Sequence, residues 1–369
     1  VSLRLVLPGT GAPEVFEVRD EAAPRPGPGE VRVRVDAAGV NFADVMMRLG
    51  LYPDAPPFPL TPGYEAAGTV DAVGEGVSAD RLGEPVVALA RHGCYAEHVC
   101  VPAAFAVRRP DGVGALQGAA LAVNWLTAYQ MLEIMAPPRA GETVLVHGAA
   151  GGVGLAAVRL AQRRGARVIG SASPVKHAAL REAGVATVFP SDQRRFAGTV
   201  RAATGGRGAD VVLEPRHGRW IGESYRAAAP CGRVVLHGFA AAATGKGASR
   251  WGALRTLAGV PWLSINPISL MNDNKALMGV NLARMWDESD RLLGWLAGLM
   301  DLLAAGEIAS RIDRVHRLRT PRRRTTGCRT GATSARCCWP RRISWRGAPR
   351  ARRSRRRRKT RAREGLREH

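Results

Sequence analysis

Between two apolar segments the chain carries the run Gly148-Ala149-Ala150-Gly151-Gly152-Val153-Gly154, a spacing suited to holding a phosphate-bearing ligand. Glycines let backbone amides approach a pyrophosphate closely, and the N-terminus of a following helix offers it unpaired N–H groups and a positive dipole end. Residues 144–146 supply an apolar strand before the run, and Leu155, Val158, Leu160 and Ala161 give the helix after it an apolar face. Residues 167–171 follow as a second strand at the separation a βαβ unit requires. The whole context predicts a dinucleotide site built on residues 148–154; the plainer alternative is a structural glycine turn.

Selectivity between cofactors is set about 20 residues further on, where an acidic side chain commonly accepts from both ribose hydroxyls of NAD. Here Ser171, Ala172 and Ser173 stand in its place, and Lys176 follows as a cation able to attract a 2′-phosphate. NADPH is therefore the expected cofactor. Lys176 taken alone reads more readily as a solvated helix residue.

The elements that must position this site divide the chain into two textures. Residues 3–110 alternate short candidate strands (3–7, 31–37, 68–73, 85–90 and 95–101) with Gly and Pro, as a β-rich domain does. From Gln117 the pattern turns helical, and from Thr143 it alternates strand and helix, with further strands expected at 185–189, 210–213 and 233–238. That is the pattern of an α/β doubly wound parallel sheet. A helix over 284–305 carries Leu292, Leu296, Leu299 and Leu303 on one stripe, expected to face the core.

Composition narrows the function classes. The 46% hydrophobic content is ordinary for a globular chain, and no apolar stretch is long enough to span a membrane. No basic-then-apolar leader opens the sequence, so a cytoplasmic location is expected. Cys94, Cys100, Cys231, Cys328, Cys337 and Cys338 lack paired zinc or disulfide spacing. The net charge of +23 suggests nucleic acid at first sight, but residues 314–369 hold 22 Lys and Arg against 2 Asp and Glu. The basicity belongs to the tail, and nucleic acid is not the expected partner of the folded part.

Three segments together resemble one family. Residues 37–44 (Ala-Ala-Gly-Val-Asn-Phe-Ala-Asp) with 48–53 (Arg-Leu-Gly-Leu-Tyr-Pro), residues 62–68 (Pro-Gly-Tyr-Glu-Ala-Ala-Gly) and the turn at 149–154 resemble the zinc-free quinone oxidoreductases of the medium-chain dehydrogenase/reductase superfamily. Residues 171–177 and 244–246 are similar to its vesicle amine transport protein branch. The resemblance implies a GroES-like catalytic domain over 1–120, a Rossmann domain over 121–260 and a return to the first domain over 261–316. It implies hydride transfer from NADPH to a quinone or conjugated carbonyl, in a homodimer. Asn41 and Tyr52 would serve the acceptor, and Thr127, Gly238 and Phe239 the nicotinamide end of the cofactor. Asn41 reads otherwise as a helix cap, Tyr52 as a surface aromatic and Glu65 as a brace of the fold.

Asn41 and Tyr64 occupy the positions of metal ligands in zinc-dependent relatives, and neither offers a thiolate or an imidazole, so no metal is expected. Two departures bear on the cofactor: Ser191 falls where quinone reductases use a tyrosine near the 2′-phosphate, and Glu214-Pro215-Arg216-His217-Gly218 replaces a pattern of small residues. An enoyl-thioester reductase and a non-catalytic, NADPH-binding trafficking protein are the competing functions.

Residues 317–369 depart from the family altogether. Codons formed from the third base of one residue and the first two of the next, taken from Gly331 through Pro340, can spell Arg-Asn-Val-Gly-Lys-Val-Leu-Leu-Ala, the family's closing strand. A frameshift near His316 is the reading adopted, with a disordered basic tail as its product; a genuine tail that binds nucleic acid or acidic lipid is the alternative.

Overall fold

The computed structural model describes residues 1–52, 54–238, 267–318 and 335–339. A short hairpin, β1 (Ser2–Val6) with β2 (Glu17–Glu21), opens the first unit. Its main sheet is built on β3 (Glu30–Val40), whose Val31, Val33 and Val35 are buried while Arg32 and Arg34 face outward, the period-two pattern of a strand with one wet face. Next to it run β4 (Glu65–Val73), β5 (Pro85–Leu89) and β7 (Ala106–Arg108), with β6 (His98–Pro102) antiparallel to the first half of β3. Strand β6 starts later than the expected 95–101 because the backbone of Tyr95 bonds to Leu5 and Pro62 instead of to β3.

The second unit is a six-stranded, wholly parallel sheet. In order across it lie β10 (Thr187–Pro190), β9 (Arg167–Ala172), β8 (Thr143–His147), β11 (Ala209–Glu214), β12 (Ala228–His237) and β13 (Ala276–Val280). The order reverses beside β8, so the glycine loop leaving β8 opens at the switch point where such sheets bind ligands. Strand β13 was not among the expected strands.

Helix α1 (Phe42–Arg48) follows β3, and helix α2 (Ala115–Tyr129) joins the two units. Its Ala119, Ala120 and Ala122 are buried against β3, β4 and β5 on one side and α3 (Gly152–Arg163) on the other. Small side chains permit that close approach, and a single apolar core runs from Ala67 and Val87 through α2 to Val144 and Val211. The helix Ser289–Ala304 packs on this core through Leu292, Leu296, Leu299 and Leu303, the stripe read from the sequence. Residues 282–288 are a 3-10 turn instead of its first turns, opened by Asn281, whose side chain accepts from the Ala283 N–H at 3.1 Å.

The chain returns to the first sheet through β14 (Ile312–Arg317). Within the tail expected to be disordered, β15 (Ala335–Trp339) is a strand instead, parallel to β14 and antiparallel to β3, with Cys337 opposite Gly39. Residues 319–334 and 340–369 lie outside the described residues. The backbone bonds of such a strand are available to any sequence, whereas the side chains beneath it are not. This strand coincides with the codons that spell Lys-Val-Leu-Leu in the shifted frame. A chain whose tail is restored to that frame is expected to melt several degrees higher than the chain as written, since Val and Leu replace Arg and Cys beside β3. Equal melting temperatures would show the basic segment to be a working part of the protein.

Candidate active site

Strand β8 delivers the chain to Gly148, which takes φ +63°, and the loop folds back so that Gly151 N–H donates to the Gly148 carbonyl at 2.8 Å. Helix α3 starts at Gly152, with Gly151 at its cap and no side chain satisfying its first amides. Its first turn holds no acidic residue, so its positive end is uncompensated. A Cβ at Gly154 would lie 2.2 Å from the Gly148 carbonyl oxygen, which makes glycine there a condition of the tight loop. Ala149 N–H bonds to Ser171 O at 2.9 Å and pins the loop to β9.

Ser171 differs from its expected setting. Its side chain is fully buried, with Oγ 2.9 Å from His147 Nδ1 and accepting from Gly148 N–H at 3.4 Å, so it braces the loop from below. Lys176 closes a 3-10 turn, Pro174–Lys176, just beyond β9 and is half-buried.

A cleft of about 450 Å³ joins the two units, with Asn41, Tyr52, Tyr64, Thr127, Val153, Gly238 and Trp286 in its walls. Asn41 is both cap and cleft residue: its backbone N–H donates to Asp44 Oδ2 at 2.8 Å, while its side chain turns inward. There Asn41 Nδ2 donates to Glu65 Oε1 at 2.8 Å and Asn41 Oδ1 accepts from Asn124 Nδ2 at 3.2 Å. Asn124 was missed in the sequence; it lies on α2 against Gly152, where a Cβ would come within 2.5 Å of its Oδ1. Thr127 spends its hydroxyl on the Val123 carbonyl one turn back, at 2.7 Å, and presents the rest of its side chain to the cleft. Gly238 follows β12 with φ +68°, its carbonyl accepting from His217 Nε2 at 2.7 Å; Phe239 lies outside the described residues.

Two buried carboxyls stand behind Asn41. Glu65 also accepts from Val123 N–H at 2.6 Å, and Asp44 accepts from the Tyr95 hydroxyl at 2.7 Å and Gly63 N–H at 3.1 Å. Burial lifts Glu65 to about 8 and Asp44 to about 6, in each case against neutral donors that pull the other way. Tyr52 and Tyr64 meet edge to face with ring centroids 6.1 Å apart. Burial and the carboxyl of Asp44 both hold the Tyr64 phenol well above the ordinary range, so it keeps its proton.

At the other end of the loop, the substitution of Arg216 for a small residue is compensated. Arg216 donates to Glu214 through Nε at 2.7 Å and Nη2 at 2.9 Å, and to the Ser191 carbonyl at 2.9 Å, with its guanidinium 4.0 Å from the Trp220 ring centre. The two departures noted in the sequence, at Ser191 and at Arg216, are thus in contact with each other.

The Glu65 carboxyl gives a pH test with a defined sign. Its ordinary value is 4.5 and its folded value about 8, so its contribution is complete below pH 4.5 and is lost as pH rises toward 8. Relative to Glu65→Gln, the wild type should therefore lose stability between pH 5 and 8. Asp44, His147 and His237 are common to both proteins and cancel to first order. Urea midpoints of the two proteins at several pH values measure the difference, and a difference that does not change with pH would place Glu65 as a carboxylate throughout.

Among the described residues, no helix is long and apolar enough to cross a membrane, and no group of three or more His, Cys, Asp or Glu is placed to hold a metal ion. Residues 27–111 match the family described as Alcohol dehydrogenase GroES-like domain, and residues 152–297 that described as Zinc-binding dehydrogenase. The human synaptic vesicle membrane protein VAT-1 homolog is 38% identical over 316 residues, covering 84% of this chain and 79% of that protein. Among solved structures, the mycobacterial protein Rv1454c complexed with NADPH is 30% identical with a TM-score of 0.78, covering 92% of this chain and 100% of the other. A quinone oxidoreductase of Pseudomonas syringae pv. Tomato DC3000 is 29% identical with a TM-score of 0.79 over the same shares. With both domains in place and this degree of identity along most of its length, the chain belongs to the zinc-free, quinone oxidoreductase-like family of the medium-chain dehydrogenases/reductases.

Proposed function

We propose that the protein transfers a hydride from NADPH to a quinone or a conjugated carbonyl, with no catalytic metal. The observation that carries this is the cleft in which the glycine loop's helix, through Val153, meets an apolar and aromatic wall that includes Phe42, Tyr52 and Trp286. A flat, electron-poor acceptor suits such a wall, and the dinucleotide supplies the hydride when bound. The amides of Gly152 and Val153 at the start of α3 would hold the pyrophosphate, Lys176 the 2′-phosphate, and Thr127 and Gly238 the nicotinamide end. The mycobacterial relative solved with NADPH supports the choice of cofactor.

The donor set argues against zinc on chemical grounds. Asn41 offers a neutral amide and Tyr64 a phenol that keeps its proton, neither of which matches the thiolate and imidazole ligands that zinc favours. The chain's own contribution is then orientation, a dry cleft and fixed dipoles. A homodimer belongs to the same proposal: among the described residues β13 ends the six-stranded sheet, leaving an edge that a second copy could extend.

NADPH should bind more tightly than NADH by roughly tenfold or more, since a charge-assisted contact to a phosphate is worth about 1.5–3 kcal/mol. Lys176→Ala should bring the two dissociation constants closer, as fluorescence titration would show; equal binding of the two nucleotides by the wild type would remove Lys176 from the site. Prolonged chelation should leave quinone reduction unchanged, and activity lost with stoichiometric zinc would defeat the metal-free proposal. An acceptor panel of para-quinones, cyclic enones and enoyl thioesters separates the substrate classes. NADPH binding with no turnover on any of them would leave a non-catalytic role.

A further inference from the structure

Asn124 stands on α2 between Asn41 and Gly152 and lines the cleft. Its Nδ2 donates to Asn41 Oδ1 at 3.2 Å, and its amide lies over Gly152, where a Cβ would meet Oδ1 at 2.5 Å and Nδ2 at 3.0 Å. The oxygen is thus the edge nearest the start of α3. A side-chain amide has a donor end and an acceptor end of nearly equal shape, so its partners, and not packing, decide which way it faces.

Glu65 does not decide this for Asn41. Lifted by burial to about 8, its carboxyl is protonated over most of the neutral range and can donate to an amide oxygen or accept from an amide nitrogen. The start of α3 does decide it for Asn124: with no acidic residue in its first turn and no side-chain cap, that positive end favours an oxygen beside it over an NH2 group. The NH2 end of Asn124 is thereby turned to Asn41, and Asn41 turns its own oxygen to Asn124. Asn41 Nδ2 then has one hydrogen on Glu65 and a second with no partner among the described residues.

We infer that Asn124 is a positioning residue: it passes the polarity of the α3 terminus to Asn41 and so keeps the uncommitted N–H of the Asn41 amide, and not its oxygen, for the carbonyl oxygen of the acceptor. The inference rests on the proposed oxidoreductase function, with Asn41 as the group that meets the acceptor. In that reaction the acceptor gains a hydride at carbon from NADPH, which leaves as NADP+, and its π electrons move onto the carbonyl oxygen. Water supplies the proton, and Asn41 transfers none. A reversed Asn41 amide would set an oxygen against the growing negative charge, whereas a fixed N–H stabilises it without rearrangement, an effect that falls on kcat more than on KM.

The test is a double-mutant cycle in the full chain. Asn124→Leu keeps the size of the side chain and adds no charge; Asn124→Ala makes the same deletion and is read in its place if the leucine unfolds the protein. Either change should lower kcat for a para-quinone or 2-cyclohexenone by roughly tenfold or more, with the NADPH dissociation constant held within about twofold. In an Asn41→Ala background the same change should alter kcat by less than about twofold, because Asn124 acts through Asn41. Equal losses in both backgrounds, an unchanged kcat, or a loss matched by weaker NADPH binding would each overturn the inference. Infrared difference spectra of isotope-labelled 2-cyclohexenone bound with NADP+ give a readout independent of turnover. The carbonyl band should lie below its solution frequency in the wild type and move up alike in Asn124→Leu and Asn41→Ala; a band that moves in Asn41→Ala alone, or in neither, overturns the inference. If Asn41→Ala leaves kcat unchanged, the inference falls while the proposed function stands. If the wild type binds the enone but reduces no acceptor, the proposed function fails, and the band alone decides whether Asn124 positions Asn41. If the wild type binds no carbonyl compound, both fail.

Discussion

The carboxyl of Glu65 is the joint on which the cleft is built. Fully buried at the start of β4, it accepts from Asn41 at the end of β3 and from the Val123 amide on α2, so a sheet, a turn and the helix that leads to the second unit share one group. Its size explains a neighbour: a Cβ at Gly39 would lie 2.0 Å from Glu65 Oε1, so β3 needs a glycine where it passes the carboxyl. From Asn41 the contacts continue to Asn124 and from there to Gly152, the first residue of α3. The separation between the aromatic wall of the cleft and the glycine loop is thus set by short polar contacts and close packing, with no long loop intervening.

A second buried carboxyl, Glu214, shows that burial alone does not decide charge. Burial opposes its ionisation as it does that of Glu65, yet the Arg216 guanidinium and the Ser224 hydroxyl, both donating to it, outweigh the penalty and hold Glu214 below the ordinary carboxylate range. Glu65 is hydrogen-bonded only by neutral amides, and burial, with the Asp44 carboxyl adding to it, pushes it up to about 8. The difference lies in the guanidinium: a full positive charge in contact repays desolvation where amide dipoles do not. His147 beside Glu214 is driven down to about 3 by burial, with Arg216 and His237 adding to the effect, so it remains neutral and can bond to Ser171 through Nδ1. The dinucleotide loop is therefore braced by a neutral imidazole, which leaves the positive end of α3 as the loop's main electrostatic feature.

What could be read from the sequence was local. The strand, glycine turn and helix over 144–162 signal themselves because the loop's requirements fall on adjacent residues, and the leucine stripe of the long helix repeats at a fixed interval. For Ser171, a place near the end of β9 fixes its distance from the glycines but not the direction of its side chain, which packs beneath the loop. Asn124 and the Asp44–Tyr95 bond join residues 83 and 51 positions from their partners, a relation no single-sequence pattern encodes. Strand β13 went unrecognised because the short apolar run 276–280 has the same texture as many buried segments. Strand β15 was hidden for a different reason: its place between β14 and β3 comes from backbone pairing, and its side chains carry no strand pattern.

The two departures beside the cofactor end of the loop acquire sense together. A cation placed alone at that edge would be costly, but Arg216 arrives with Glu214, which satisfies it through two nitrogens, and with Trp220, whose ring receives its flat face. The third nitrogen reaches the carbonyl of Ser191, where a tyrosine would have filled the space. A bulky aromatic at 191 and a guanidinium from 216 would compete for the same ground, so each substitution makes room for the other. The sequence shows two separate losses relative to the family pattern, and the fold turns them into one exchange, in which an arginine bridge links the ends of β10 and β11 across the sheet. The local fold there is therefore preserved by replacement, and the loop it supports keeps the geometry that Gly148 and Gly154 impose.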